Sequence, residues 1–296
     1  MARRTARAPH RRRRQRRRQR RQRRLLLPPL HTSLPEKLLG SRFRTINEAL
    51  YTTSGADALA ETTQEAERMA AYHAGFRAQT KSWPLVPVQA IARILLSSAS
   101  GAQGGRGMSA QQPLVLDLGA GEAPLARILA REEPARWKVL SFDLDNSADG
   151  WVRRVNCAGE LPLPGVSPWQ DETPALEMQI VDVVVFCLAL MGTDWVRMIS
   201  EAQRVLRTGG DLLISEVSSR HDSIDAFVEV ICALGFENLT QDSSNTHFSL
   251  FHFRKTALDR GRVARLVAGD DEGEAQLESL IAMGPQVLKP CLYKRR

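Results

Sequence analysis

The sequence predicts an α/β protein built on a doubly wound, largely parallel sheet. Three observations lead there. Strand and helix patterns alternate from residue 114 onward, a Gly-x-Gly loop joins the first strand to its helix, and the second strand ends in an acid. Taken in order, residues 114–118 read as a short apolar strand and 124–131 as a helix opened by Pro124, whose fixed φ suits a first helical turn. Residues 138–143 and 151–155 are the next two strands. Residues 181–190 are β-branched and apolar on both faces, as a central parallel strand would be. Residues 194–206 are amphipathic, and Gly209-Gly210 reads as the cap that closes that helix. A strand at 211–217, a helix at 224–234 capped by Gly235, and two close strands at 237–241 and 248–254 complete the pattern, the last pair suggesting an antiparallel edge. Ahead of the sheet the chain is helical. Residues 58–83 form one long helix ending at Trp83-Pro84, 87–96 a second that starts on proline, and 97–112 a flexible Gly/Ser-rich loop. The chain thus divides into four segments: an Arg-rich tail over 1–30, a helical subdomain over 38–100, a ligand-binding sheet over 113–256 and an extension over 257–296.

Charge separates the tail from the rest. Of the 41 basic residues 14 are arginines within residues 1–24, so the remaining 27 face 33 acids and residues 25–296 carry a net −6. The tail cannot bury a core and is expected to be disordered alone; so dense an arginine block reads as a nuclear or nucleolar address, or an arm for nucleic acid. Other classes fall away. The basic run is followed by only three leucines and then Pro28-Pro29, too little for a signal-peptide core, and no apolar stretch reaches the length of a membrane span. Cys157, Cys187, Cys232 and Cys291 are scattered without a C-x-x-C pair, so neither a disulfide framework nor a metal site is expected, and a reducing compartment is implied.

The most informative string is Leu116-Asp117-Leu118-Gly119-Ala120-Gly121-Glu122-Ala123-Pro124. Gly119 permits a tight turn, and Gly121 lets the backbone come close to a ligand. A dinucleotide site wants a third glycine so that the helix N-terminus can sit on a pyrophosphate; that slot is Pro124 here. The ligand implied is adenosyl but lacks phosphate. Asp143, at the end of the second strand, can accept hydrogen bonds from both hydroxyls of a ribose. Together these favour S-adenosylmethionine over NAD. Asp117 is a candidate to hold the loop through backbone NH groups, or a buried cap.

Several strings resemble one family. They are Gly40-Ser41-Arg42-Phe43-Arg44 with Ile46-Asn47-Glu48; Tyr72-His73 through Gly75-Phe76-Arg77 to Trp83-Pro84; Phe186-Cys187-Leu188-Ala189-Leu190-Met191-Gly192-Thr193; Glu216-Val217-Ser218-Ser219-Arg220; His247-Phe248 with Leu250-Phe251; and Leu288-Lys289-Pro290-Cys291-Leu292-Tyr293-Lys294-Arg295-Arg296. The combination resembles the nucleomethylin family, the ribosomal RNA-processing adenine methyltransferases of the nucleolus. That resemblance implies a class I (Rossmann-like) methyltransferase sheet with a small helical N-terminal subdomain, acting on N1 of an adenine in large-subunit ribosomal RNA. It places cofactor contacts at His73, Gly119, Asp143, Asn156, Cys157 and Cys187, beside the Gly121 that the loop itself points to, with no metal. Ribosomal RNA is the implied partner, beside nucleolar or chromatin proteins and no membrane.

Two departures bear on the site. The family's usual Asp after the third strand is Asn156 here, followed by Cys157. Asn lacks the charge, so weaker cofactor affinity is expected. The Pro-rich stretch over 161–179 is longer than the family's and reads as a surface insertion. No catalytic base is assigned, because adenine N1 is already an unprotonated nucleophile near neutral pH. The competing expectation is a non-catalytic nucleolar or chromatin-associated protein that binds S-adenosylmethionine in rDNA silencing. Trp83 reads as a core anchor, and Arg42, Arg44 and the terminal Lys294-Arg295-Arg296 as phosphate contacts.

Overall fold

The computed structural model describes residues 33–65, 67–81, 83–100, 112–169, 179–267 and 273–293. The Arg-rich tail, most of the loop expected at 97–112, the middle of the 161–179 stretch and the last three residues lie outside these. Among the described residues one unit ends at Ser41 and another begins at Arg42; the sheet, its cores and the cavity beside it all belong to the second.

The helices and strands are α1 (Ser33–Thr52), α2 (Gly55–Gln64), α3 (Arg68–Thr80), α4 (Pro87–Ser100), β1 (Leu114–Leu118), α5 (Pro124–Glu132), β2 (Lys138–Asp143), β3 (Val152–Arg154), β4 (Val181–Cys187), α6 (Trp195–Val205), β5 (Leu206–Val217), α7 (Ile224–Ala233), β6 (Phe236–Asp242), β7 (Phe248–Lys255), α8 (Arg260–Val267) and α9 (Glu274–Val287). The strands form a seven-stranded sheet in the order β3-β2-β1-β4-β5-β7-β6. β1 to β5 pair in parallel, and β7 runs antiparallel to both β5 and β6. This is the class I methyltransferase arrangement, with the antiparallel edge placed where the two closely spaced strands predict it.

Strand periodicity builds both faces. Val115, Val183, Val185 and Leu213 point toward α4 and α5, where they meet Ile91, Leu95, Leu125 and Leu129. Their neighbours Leu116, Leu118, Val184, Phe186, Leu212 and Ile214 point the other way, onto Trp195, Ile199 and Phe227. Alternation along a pleated strand makes this division automatic. The segment after residue 257 contributes Val263, Leu277, Leu280 and Leu288 to that second core. Phe43, Ile46, Leu50, Ala58, Met69 and Tyr72, from α1, α2 and α3, form a separate small core.

The order reverses at β1, which has β2 on one side and β4 on the other. In register, Leu118 lies beside Phe142 and Phe186. The carboxyl ends of three strands therefore open at one level, where ligands of such sheets bind.

Four expectations are corrected. The helix expected over 58–83 is two helices, because Glu65 adopts an extended conformation (φ −118°, ψ 92°) and ends the first. β4 stops at Cys187 instead of continuing to residue 190, since Leu188 turns to φ 58°. Gly209-Gly210 does not cap α6. That helix ends at Val205 with Leu206 already extended, and the two glycines lie inside β5, where Gly209 has φ 73° and the β4–β5 register shifts. The described part of the Pro-rich stretch is anchored, with Leu161 and Trp169 buried. Arg204 of α6 donates to the carbonyls of Leu161 (2.9 Å), Leu163 (3.0 Å) and Gly165 (3.2 Å), and Trp169 Nε1 donates to Ser200 Oγ at 3.0 Å.

Candidate cofactor site

The loop after β1 is built from three left-handed residues, Gly119 (φ 71°), Gly121 (φ 60°) and Ala123 (φ 55°). Its amides are satisfied from β2. Gly119 and Ala120 N donate to Phe142 O at 2.9 and 3.0 Å, and Gly121 N donates to Asp143 Oδ2 at 2.7 Å. The other Asp143 oxygen accepts Leu144 N at 2.7 Å. It is therefore Phe142 and Asp143, not Asp117, that hold the loop amides. A β-carbon on Gly119 would overlap that of Ala189, so glycine is required there by packing as well as by φ.

Asp143 is buried but not saturated. A carboxylate offers about four acceptor positions, and two are taken by amides. Burial raises its pKa, opposed by the His73 side chain and by the two amide bonds. Asp117, on the same sheet end, is pushed up to about 7 by burial and by Asp143. Burial also pushes the Cys157 thiol up to about 12 and raises that of Cys187 well above its ordinary value. Both thiols are neutral at physiological pH, so neither supplies a thiolate nucleophile.

The opposite wall comes from α3. Met69, Tyr72, His73, Phe76, Arg77 and Thr80 all line the cavity; Met69 and Tyr72 are shared with the small core, and His73, Phe76, Arg77 and Thr80 form an i, i+3, i+4, i+7 stripe along one helix face. His73 lies next to Gly121, whose added β-carbon would come 3.8 Å from the imidazole Nε2. Arg77 is ion-paired to Glu122 of the loop.

Asn156 lies two residues beyond the end of β3, against the start of α2. Its Oδ1 accepts Ala158 N at 3.0 Å, and its carbonyl accepts Gly159 N at 3.0 Å, a side-chain-capped turn that Asp would make equally. The first residue of α2 packs directly on it: a β-carbon at Gly55 would overlap Asn156 Oδ1. Gly55 N is held by both carboxylate oxygens of Asp194 at 3.0 Å, and Thr193 N by Thr53 O at 3.0 Å.

All seven residues expected from the sequence, His73, Gly119, Gly121, Asp143, Asn156, Cys157 and Cys187, line one cavity of about 330 Å³. Tyr72, Phe76, Gly55, Leu188, Met191 and Asp194 join them; Tyr72, Phe76, Leu188 and Met191 lie in strings that carry the family resemblance, whereas Gly55 and Asp194 have no such signal. Arg42 is paired with Glu65. Trp83 packs against His247 and Phe248, with ring centroids 5.1 and 6.4 Å apart. Among the described residues no group of acids, histidines and cysteines is placed to hold a metal, and no helix is long and apolar enough to cross a membrane.

Over residues 29–296 the sequence matches the protein family described as hypothetical methyltransferase. The chain belongs to this family. It is 36% identical over 270 residues to ribosomal RNA-processing protein 8 of Arabidopsis thaliana, covering 89% of this chain and 77% of that protein. To the Mus musculus protein of the same name it is 37% identical over 267 residues, 90% of this chain but 48% of the relative. To the 25S rRNA (adenine(645)-N(1))-methyltransferase of Saccharomyces cerevisiae it is 34% identical over 300 residues, 91% and 72%. The chain thus spans from about half to about three quarters of these relatives.

The methyl donor of the family is S-adenosylmethionine, and the residues present fit it. Asp143 has two free acceptor positions for a ribose diol, the Gly119–Gly121 turn offers bare backbone beside it, and Pro124 stands where a pyrophosphate-binding loop would need glycine. When bound, the sulfonium supplies an electrophilic methyl group.

Proposed function

We propose that this methyltransferase acts on N1 of an adenine in large-subunit ribosomal RNA, as a step of rRNA processing in the nucleus and nucleolus. The observation that carries the reading is the Asp143–glycine-loop cavity in a chain 34–37% identical, over about nine tenths of its length, to relatives named for ribosomal RNA processing and adenine-N1 methylation. Asp143 and the loop orient the donor; the α3 wall with Tyr72 and Phe76 closes the cavity. The chemistry asks for little else. Adenine N1 carries a lone pair at neutral pH, so alignment with the methyl dominates over proton removal. The cationic product suits a cavity with aromatic walls. N1 lies on the base-pairing edge, so the target base must be unpaired or flipped out.

Primer-extension mapping of rRNA from cells lacking the protein tests the reading. Loss of one N1-methyladenosine stop, restored by the wild-type gene, is the expected result; an unchanged map overturns it. Asn156 supplies no argument for a non-catalytic protein, because its turn is intact. Its missing charge does set a quantitative expectation. Asn156→Asp should bind S-adenosylhomocysteine several-fold more tightly in calorimetry, by the ~1 kcal/mol that separates a charged acceptor from a neutral one; equal affinity would mean that the side chain serves the turn alone.

The arginine tail gives a second expectation. Deleting residues 1–24 should leave cofactor affinity unchanged while weakening RNA binding at least ~10-fold near 0.1 M salt and flattening its salt dependence, since 14 phosphate-pairing charges go. Filter binding across a salt series measures both.

A further inference from the structure

Two strings of the sequence stand outside the cofactor contacts, Glu216 to Arg220 at the end of β5 and Leu288 to Tyr293 after α9. The fold bonds them to each other and to the cavity wall. Glu216 and Arg220 are 0% and 1% exposed. Arg220 Nη1 donates to Glu216 Oε2 at 2.6 Å, Nη2 to Leu190 O at 2.8 Å and Nε to Lys289 O at 2.7 Å. Glu216 Oε1 accepts Leu190 N at 2.9 Å. The ring of Tyr51 lies 4.7 Å from the guanidinium carbon, and Lys289 N returns to Arg220 O at 3.0 Å.

Both backbone polar groups of Leu190 are therefore held by one ion pair. Leu190 belongs to the turn after β4, which begins in the left-handed conformation of Leu188. Within that turn Ala189 seals against Gly119, and Met191 Sδ accepts Tyr72 OH at 3.5 Å. Leu188, Ala189 and Met191 all line the cavity. The mount is closed from outside by the terminal segment. Cys291 O accepts Asn47 Nδ2 at 2.7 Å, and Tyr293 packs on Phe43 with centroids 5.3 Å apart.

A buried ion pair is a poor source of net stability, because desolvation consumes most of its attraction. Its distinctive asset is direction: a planar guanidinium fixes three acceptors at once, which a lysine ammonium cannot reproduce. Methyl transfer is where direction counts, since the reacting atoms must lie in line at the carboxyl ends of the strands.

We infer that Arg220, oriented by Glu216, is a positioning residue for methyl transfer, holding the cavity wall at 188–191 in register with the glycine loop and pinning the terminal segment behind it. The inference rests on the methyltransferase reading. The test uses the full chain, labelled S-adenosylmethionine and large-subunit rRNA from cells lacking the protein. In single turnover at saturating donor and RNA, Arg220→Lys should transfer label ~100-fold more slowly, the scale of an ångström-size misplacement. Its S-adenosylhomocysteine affinity and its half-saturating RNA concentration should stay within about threefold of wild type, the signature of a loss confined to the transfer step. Glu216→Gln, which keeps the Oε1 acceptor and the shape, should shift the rate in the same direction by less and decides the matter should the lysine variant not fold. An unchanged rate, or a cofactor affinity that falls in step with the rate in both variants, overturns the inference. A wild-type protein that leaves the rRNA unlabelled overturns the parent reading and this inference with it; a labelling wild type with fully active variants overturns this inference alone.

Discussion

Replacing Asp143 by Ala is expected to weaken S-adenosylhomocysteine binding by at least ~100-fold and to remove methyl transfer with it. The carboxylate does two things at once. It fixes Gly121 N and Leu144 N at 2.7 Å each, and it presents its remaining acceptor positions to the cavity. A hydrogen bond to a charged group contributes about 1.5–3 kcal/mol, so losing two to a ribose alone reaches about 3 kcal/mol or more, which is more than a hundredfold in affinity. The pH dependence carries a sign. Burial raises the Asp143 pKa, so protonation at falling pH removes acceptors and cofactor affinity should decline toward acid; in Asp143→Asn that part of the slope should vanish. Stability should move the other way. A carboxyl whose folded pKa lies above its unfolded value favours the fold at low pH and loses that contribution as pH rises. Relative to wild type, the cofactor-free Asn variant should melt higher at about pH 8 than at about pH 5, since it also relieves the repulsion between Asp143 and Asp117. Calorimetry and thermal melts at both pH values separate a binding defect from unfolding. An Ala variant that binds normally would show that the ribose is held elsewhere.

Legibility in the sequence tracks the range of the forces. The β1–loop–α5 unit declares itself locally, because an apolar strand, two glycines and a proline each satisfy a backbone requirement within about ten residues. Asp143 and Cys187 then fall at the cavity without further information, since parallel register aligns the ends of β1, β2 and β4. The buried run of β4 is readable for the same reason, although its end is not. Leu188 is an ordinary residue by propensity, and the bonds around its φ of 58° come from the neighbouring strand and the turn beyond it: Ser215 O accepts Leu188 N at 2.8 Å, and Glu216 and Arg220 hold Leu190. Gly209-Gly210 misleads because a β-bulge and a helix cap use the same residue for the same positive φ; which one forms is decided by the neighbouring strand. The anchoring of Leu161 and Trp169 depends on Arg204 and Ser200, far along the chain in α6, and leaves no periodic trace. Gly55 is the clearest case at the site. Nothing around it marks a functional glycine, yet its bare Cα is what lets α2 lie against Asn156.

Gly119→Ala is the second large effect, and it separates two costs that glycine hides. A residue with a side chain at φ 71° costs about 1–2 kcal/mol in backbone strain. The added β-carbon would also overlap that of Ala189, and Ala189 cannot retreat freely because both polar groups of the next residue are pinned by Glu216 and Arg220. Gly121 has a similar φ of 60°, but its added β-carbon would meet nothing closer than His73 at 3.8 Å. Gly121→Ala should therefore destabilise the cofactor-free protein by the strain alone, about 1–2 kcal/mol, read as a lowered melting temperature. Gly119→Ala should cost roughly twice that or more, as overpacking a close contact adds about 1–3 kcal/mol, and should bind S-adenosylhomocysteine at least ~10-fold more weakly because the loop amides shift. The pair Gly119→Ala with Ala189→Gly isolates the clash: removing the opposing methyl should recover the overpacking share and leave the strain, a coupling of about 1–3 kcal/mol in a double-mutant cycle. Additive losses in that cycle would mean that the loop yields before Ala189 does, and that the wall after β4 is less rigid than its bonds to Glu216 and Arg220 require.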